Sequence, residues 1–434
     1  MKKVIILGAA GRDFHNFNMY FRNNKEYKVL AFVAMQVPFI ADRVYPSDLA
    51  GKFYPSGIPI YDERKLIELI KDYSIDEVIL AYSDLSYKDV MHLASIAITN
   101  GSSFRLLGLK DTQLIASKPV IAITATRTGA GKSTFARSIA RIAKQYYNIA
   151  IIRHPMPYLT FDPIQSFNDI SDLNKYNLTI EEEEEYIDHL IDHNPVYAGV
   201  DYELILKEVE SKHDLIIWDG GNNDFPFIKP NLHITIFDPL RAEDAINYYP
   251  SEVNLSLADV IVINKVNSID NTLLSRSLEI IKSLNTKALI FKVGSYPILN
   301  ANINGKKVII IDDAPSITHG NVKDSITYRL AIEKGAKVID PKPYAKGSIK
   351  DTIEKYGINN IIPSAGYSTQ QLDDLAYTIS SIDADLIIAN TPADIGKRLK
   401  IDKPIVRLKF ELRGYDYNNF IDYIENYFKE LNRS

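Results

Sequence analysis

Cysteine is absent from all 434 residues, which excludes disulfides, thiolate metal sites and a thiol nucleophile. No apolar run approaches the roughly 18 residues a membrane span needs. The opening Met1-Lys-Lys-Val-Ile-Ile-Leu-Gly8 is too short an apolar run for a secretory leader and reads as a first strand. Positive charge is also scarce: 50 Lys and Arg against 55 Asp and Glu give a net charge of −5, with no long basic block. That argues against a broad nucleic-acid surface. Internal repeats and low-complexity linkers are missing too. What remains is a cytoplasmic protein with no nucleic-acid or membrane partner. Its 46% hydrophobic and 24% charged residues are globular values, and its length calls for two or three domains.

Buried-type runs alternate with amphipathic stretches along the chain, so the expected class is α/β with parallel sheets. Residues 1–116 read as a Rossmann-like unit, with strands at Lys3–Leu7, Val29–Val33, Glu77–Leu80 and Phe104–Leu107. Its first turn, Gly8-Ala-Ala-Gly11, lacks the full glycine fingerprint of a dinucleotide loop. A structural turn or a bound anion fits it better than NAD. Residues 117–304 read as a phosphate-loop NTPase domain, with strands at Val120–Ile123, Ile149–Arg153, Leu215–Trp218, His233–Phe237, Val260–Asn264 and Ala288–Val293. Residues 305–434 form a C-terminal α/β region whose strands either extend the preceding sheet or build another. It ends in a helix from about Tyr417 to Leu431.

The most informative stretch is Val120–Thr134. An apolar strand stops at Gly129-Ala130-Gly131-Lys132-Ser133-Thr134, and a helical pattern follows. Such a loop turns backbone N–H groups around a polyphosphate at a helix N-terminus. Lys132 reaches the outer phosphates and Ser133 holds magnesium. The usual leading glycine, six positions before the lysine, is Thr126. The apolar strand ending at Asp219 and followed by Gly220-Gly221 supplies the magnesium side of the same site. Asp224 and the asparagines before it are candidates to orient water or a second substrate.

Asn264-Lys265-Val-Asn267 resembles the base-reading element of guanine-binding NTPases and places Asn264 and Lys265 near the base. Asn267, however, has one acceptor oxygen where an aspartate offers two, so it cannot accept both guanine N–H donors. ATP is the better expectation, with GTP the alternative and Mg2+ the metal. Arg127 stands five residues before Lys132, where MinD- and ArsA-like proteins carry a lysine that reaches a partner's phosphates. A catalytic arginine and a homodimer are expected on that ground, against a solvated loop arginine. Arg153, His154 and Arg241 follow strands at the edge where open sheets bind ligands and suit a small anionic substrate. His319 lies in a similar hydroxyl-rich stretch. The run Glu181–Glu185 reads as the start of a helix capped by Thr179 and Glu182, because consecutive helical glutamates cannot converge on one ion.

Several of these stretches together resemble an archaeal and bacterial family of predicted GTPases related to cyclic 2,3-diphosphoglycerate synthetase, within the SIMIBI branch of P-loop NTPases. They are Gly8–Phe17, Arg153–Tyr158, Trp218–Phe227, Thr318–Gly320 and Asp340-Pro-Lys-Pro-Tyr-Ala345. The resemblance implies an N-terminal α/β domain ahead of a P-loop domain. It also implies an ATP-driven enzyme that makes a phosphoanhydride in 2,3-diphosphoglycerate and releases ADP and phosphate. Gly129, Gly131, Lys132 and Ser133 match its phosphate loop, and Asp219 its magnesium position. A regulatory NTPase that switches a dimer is the alternative.

Overall fold

A computed structural model describes residues 1–35, 40–154, 156–312, 325–364, 369–391 and 395–433. Among the described residues three large sheets carry most of the chain, besides a two-stranded ribbon pairing Leu85–Ser86 with Tyr248–Tyr249, and their parallel strands bring loops from all three to one cleft.

The first sheet has the order Val44–Tyr45, Ile58–Asp62, Tyr27–Ala34, Lys2–Leu7, Glu77–Leu80, Ser103–Leu106, parallel except for the first pair. Setting aside the antiparallel edge, the five parallel strands run third, second, first, fourth, fifth in chain order, as in a dinucleotide-binding fold lacking its last strand. The turn after the first strand is filled from within. The carboxylate of Asp13 accepts from the backbone N–H groups of Ala10, Gly11 and Phe14 at 2.8–3.3 Å. Gly8 has φ of 123°, and a Cβ there would lie 2.6 Å from Asp13 Oδ2. The anion held by this turn is the chain's own.

The second sheet has eight strands in the order Gln165–Phe167, Val196–Ala198, Ile149–Arg153, Leu215–Asp219, Val120–Ala125, Leu232–Phe237, Val260–Ile263, Leu289–Lys292. All are parallel except the edge strand Gln165–Phe167. Its central strands are buried throughout and mostly apolar because helices cover both faces. Phe135, Ile139 and Ala143 of the helix Lys132–Ala143 pack into one face. Phe420, Ile424 and Phe428 of the closing helix Tyr417–Leu431 enter that same core, although they come from the far end of the chain.

The strands beyond residue 293 form a third sheet and do not extend the second. Its order is Gly294–Leu299, Ile405–Arg413, Leu386–Asn390, Lys307–Asp312, Lys337–Val338, with Ile362–Pro363 also paired to Lys307–Asp312. No helix among the described residues is long and apolar enough to cross a membrane.

Candidate functional site

The strand Val120–Ala125 delivers the chain into the phosphate loop at the C-terminal edge of the second sheet, where open α/β sheets bind ligands. Gly129 and Gly131 have φ of 79° and 100°, values that L side chains rarely adopt. Gly131 caps the helix that starts at Lys132, and a Cβ on it would lie 2.5 Å from Asn264 Nδ2. Gly131→Ala is therefore strained twice and should weaken nucleotide affinity at least roughly tenfold, read by calorimetry with magnesium nucleotide. The departure at Thr126 also has a local reason. Its hydroxyl accepts from Asp238 N at 3.2 Å and its carbonyl from Ser251 Oγ at 2.6 Å, so the side chain ties the loop to the next strand's exit.

The loop carbonyls are held from behind. Arg241 donates to Thr128 O at 2.6 Å, Lys265 to Gly129 O at 2.7 Å and Asn264 to Ala130 O at 2.8 Å. Asp238 joins Arg241 (2.7 Å) and Lys265 (3.1 Å). Its carboxyl is pushed up by burial but pulled further down by those two cations. With its carbonyls engaged, the loop leaves its N–H groups for an anion.

Asp219 is the electrostatic centre. It is fully buried at the end of Leu215–Asp219. Lys132 Nζ lies 2.9 Å from Oδ1 and also donates to Gly220 O. Oδ2 meets the Arg153 guanidinium and, at 3.0 Å, His189 Nε2. Burial would raise the Asp219 carboxyl, but Arg153 and Lys132 beside it hold it well below the usual carboxylate range. Burial also lowers the Lys132 ammonium, although Asp219 opposes this. Lys132 thus stands at the mouth of the loop as a compact charge held on a buried carboxylate.

Sequence reasoning missed His189. It lies on the helix Ile180–Ile191, whose Thr179–Glu182 capping box is formed as expected. That helix is nevertheless a wall of the cleft. Glu185 pairs with Arg153, and Asp188 lies 2.7 Å from Arg137. Hydroxyls of Ser364 and Thr391, from the third sheet's loops, donate to Glu184. No local sequence signal marks a histidine whose partner is 30 residues away on a strand.

Several expected residues do something else. Arg127 is 3% exposed and serves as a strut. Its guanidinium lies 3.0 Å from Asp84 of the first unit and 2.7 Å from Asp244, and it stacks 3.6 Å from the centre of the Tyr248 ring. A side chain so engaged is placed to lock the first unit against the loop, and reaching a second copy's phosphates would break three contacts. Arg153 is buried on Asp219 and Glu185, and Arg241 is turned onto the loop, so neither stands open as an acceptor clamp. Burial pulls the His154 imidazole down to about 4, which leaves it neutral near pH 7 and unsuited to pairing with an anion as a cation. Asp224 is buried, 2.8 Å from Arg12, whose guanidinium stacks on Phe225. Asn223 braces Ser251 at 2.9 Å. Ser133 and Thr134 line the cleft beside Lys132. His319 falls outside the described residues.

The cleft has a volume of about 1750 Å³, ample for a nucleotide and a second substrate. The first unit contributes Arg12 and Asp13, the second its phosphate loop and acidic helix, and the third Asp312, Arg329 and Arg407. Ser133 and Asp219 offer the oxygen donors that magnesium takes, and such ions are completed by phosphates and water rather than by an all-protein cage.

No family model matches the chain. Arginine synthetase ArcE of Thermococcus kodakarensis is 45% identical over 439 residues, covering 100% of this chain and 98% of that protein. Cyclic 2,3-diphosphoglycerate synthetases of Thermococcus sibiricus and Pyrococcus furiosus are 29% and 27% identical, over only 24% and 22% of this chain and the same shares of theirs. The likeness to those synthetases is therefore partial, where the sequence motifs implied one of nearly full length. Among solved structures, LpxK of Aquifex aeolicus in complex with ATP covers 79% of this chain and 95% of its own, at 13% identity and a TM-score of 0.43. HypB of Archaeoglobus fulgidus covers 41% and 79%, at 18% identity and a TM-score of 0.24. Structural likenesses that weak carry no argument. The relatives are synthetases by name, and this chain is an enzyme with ATP-dependent phosphoanhydride chemistry. Matched from end to end at 45% identity, the chain belongs to the family of the arginine synthetase ArcE.

Proposed function

We propose that the protein is a Mg-ATP-dependent synthetase that builds a guanidino group, forming arginine from citrulline and ammonia. The observation that carries the ATP half is Lys132, seated on buried Asp219 at the open face of a loop whose carbonyls are already engaged. The acceptor half rests on the full-length relative and on the acidic wall. The helix Ile180–Ile191 already grips two guanidinium groups of its own chain, Arg153 on Glu185 and Arg137 on Asp188. A wall of this composition suits a ureido or guanidino substrate, through bidentate carboxylate contacts, better than it suits a polyphosphate.

A ureido oxygen is a poor leaving group, so the γ-phosphoryl of ATP is transferred to it. The new O–P bond forms as the bond to ADP breaks. Ammonia then forms the C–N bond as the C–O bond breaks, and phosphate departs with the oxygen. Catalysis is mainly positioning and charge stabilisation, as phosphoryl transfer requires. Lys132 and the loop N–H groups hold the transferred phosphoryl, and Asp219 keeps Lys132 aimed. Magnesium, held by Ser133 and Asp219, would supply charge neutralisation on the phosphates.

Purified protein given Mg-ATP, citrulline and ammonium should release arginine and ADP in equal amounts. Phosphorus NMR with 2,3-diphosphoglycerate in place of citrulline should show no cyclic product. The second reading, a small phosphorylated acceptor as in the cyclic 2,3-diphosphoglycerate synthetases, draws on the partial similarity to those enzymes. Cyclic product without arginine would establish it and overturn the first. Hydrolysis that responds to neither metabolite would point to the switch-type NTPase.

A further inference from the structure

Asp224 has one satisfied oxygen and one that is not. Oδ1 accepts from Arg12 Nε at 2.8 Å, while Oδ2 is shielded from solvent and has no hydrogen-bond donor among the described residues. Facing it at 3.3 Å is His154 Nδ1, equally buried and, among the described residues, equally without a hydrogen bond. A buried carboxylate oxygen with no donor is costly and calls for an explanation.

Both residues line the cleft, and their position is fixed on every side. The His154 ring lies against Gly221, where a Cβ would come within 2.5 Å of Cγ. Gly221 directly follows Gly220, whose carbonyl accepts from Lys132. The pair therefore stands next to the end of the loop where the transferred phosphoryl is held. The charged groups acting on His154 are Asp224, Arg153, Arg12 and Lys132. Among these only Asp224 favours a proton on the ring, and burial opposes one most strongly.

A donor with at least two polar hydrogens, such as an amine, can satisfy two acceptors that face one point. We propose that Asp224 Oδ2 and His154 Nδ1 form the seat of the amine nucleophile, and that His154 takes the proton it loses. The inference rests on the synthetase reading above. As the C–N bond forms and the C–O bond to phosphate breaks, one N–H proton passes to Nδ1. The imidazolium is then stabilised by Asp224, itself fixed by Arg12. A base held by an oriented carboxylate beside the nucleophile is the usual arrangement for such a transfer.

The test compares two nucleophiles, ammonia and hydroxylamine, the latter largely uncharged at neutral pH and less dependent on a base. In H154Q, arginine formation with ammonia should fall by roughly 10²–10³-fold, and the remaining rate should climb with pH toward the ammonium pKa. With hydroxylamine the loss should stay within about tenfold. Equal losses for both nucleophiles, or no loss, would overturn the proposal. A measurement that needs no turnover separates it from the reading beneath. The His154 ring-proton NMR signals, identified by their absence in H154Q, should move on adding ammonium chloride but not tetramethylammonium chloride. That response should vanish in D224N. Should the wild type make no arginine, the synthetase reading fails while this titration still decides the seat, and a signal unmoved by ammonium refutes it.

Discussion

Lys132→Ala should abolish ADP formation to within about 0.1% of the wild-type rate, a loss on the order of 10³-fold. It should also weaken magnesium-nucleotide binding measured by calorimetry. Lys132 is the cation at the helix N-terminus that is both engaged by a buried carboxylate and adjacent to the loop's glycines. Its side chain is only 11% exposed, so its charge acts through little water and counts for more than at the surface. Lys132→Arg should fail as well. A planar guanidinium cannot occupy the tight space between Asp219 and Gly220 O, which an ammonium fills with two of its three donors. A well-folded Lys132→Ala protein that retains nucleotide affinity and turnover would remove the basis for placing the triphosphate in this loop.

The parts of this site that sequence makes legible are those whose signal is local. The phosphate loop is a strand, a glycine pair and a helix in consecutive residues, and the strand ending at Asp219 is an apolar run closed by a carboxylate and two glycines. The strands Glu77–Leu80 and Leu386–Asn390 fall where apolar runs place them, for the same reason. The edge strand Gln165–Phe167 and its neighbour Val196–Ala198 have three residues each, too few for a pattern, and emerge only from pairing near the sheet edge.

Long-range partners are invisible in the same way. Arg127 looks like a phosphate-reaching arginine from its spacing to Lys132, but its fate is set by Asp84, a residue of the first unit, and by Tyr248. Arg153 looks like an exposed clamp at a strand end until the acidic helix closes over it. That helix is legible as capped at its start, since capping is local, although Thr179, Glu181 and Glu182 are buried there. Its placement against the phosphate loop depends on His189 and Glu185 finding Asp219 and Arg153, which no spacing encodes.

Asp219→Asn should be the most destabilising single change at the site. It leaves the buried Arg153 and Lys132 facing each other without the carboxylate between them, and breaking a buried ion cluster in this way costs roughly 3–5 kcal/mol. The same physics makes the wild type acid-labile. Asp219 is depressed in the folded state, so its contribution is present above the unfolded value of about 4 and is lost as pH falls toward the folded one. Burial pulls His15 down to about 3 and His154 and His233 to about 4. Burial lowers His189 and His213 as well, so the unfolded chain takes up protons near pH 6.5 that the folded chain refuses. Asp13 works in the opposite sense. Burial pushes it up to about 6, so between about pH 4 and 6 the folded chain keeps a proton that the unfolded chain releases. The lowered histidines outnumber Asp13, so near pH 5 unfolding takes up protons and stability falls as pH falls. Urea midpoints should accordingly drop steeply from pH 7 to pH 5, and the gap between wild type and Asp219→Asn should narrow only below about pH 4, where Asp219 of the unfolded chain begins to protonate. A midpoint that stays flat from pH 7 to 5 would mean that these histidines are not buried and neutral. A variant as stable as the wild type would mean that Asp219 does not hold the two cations together.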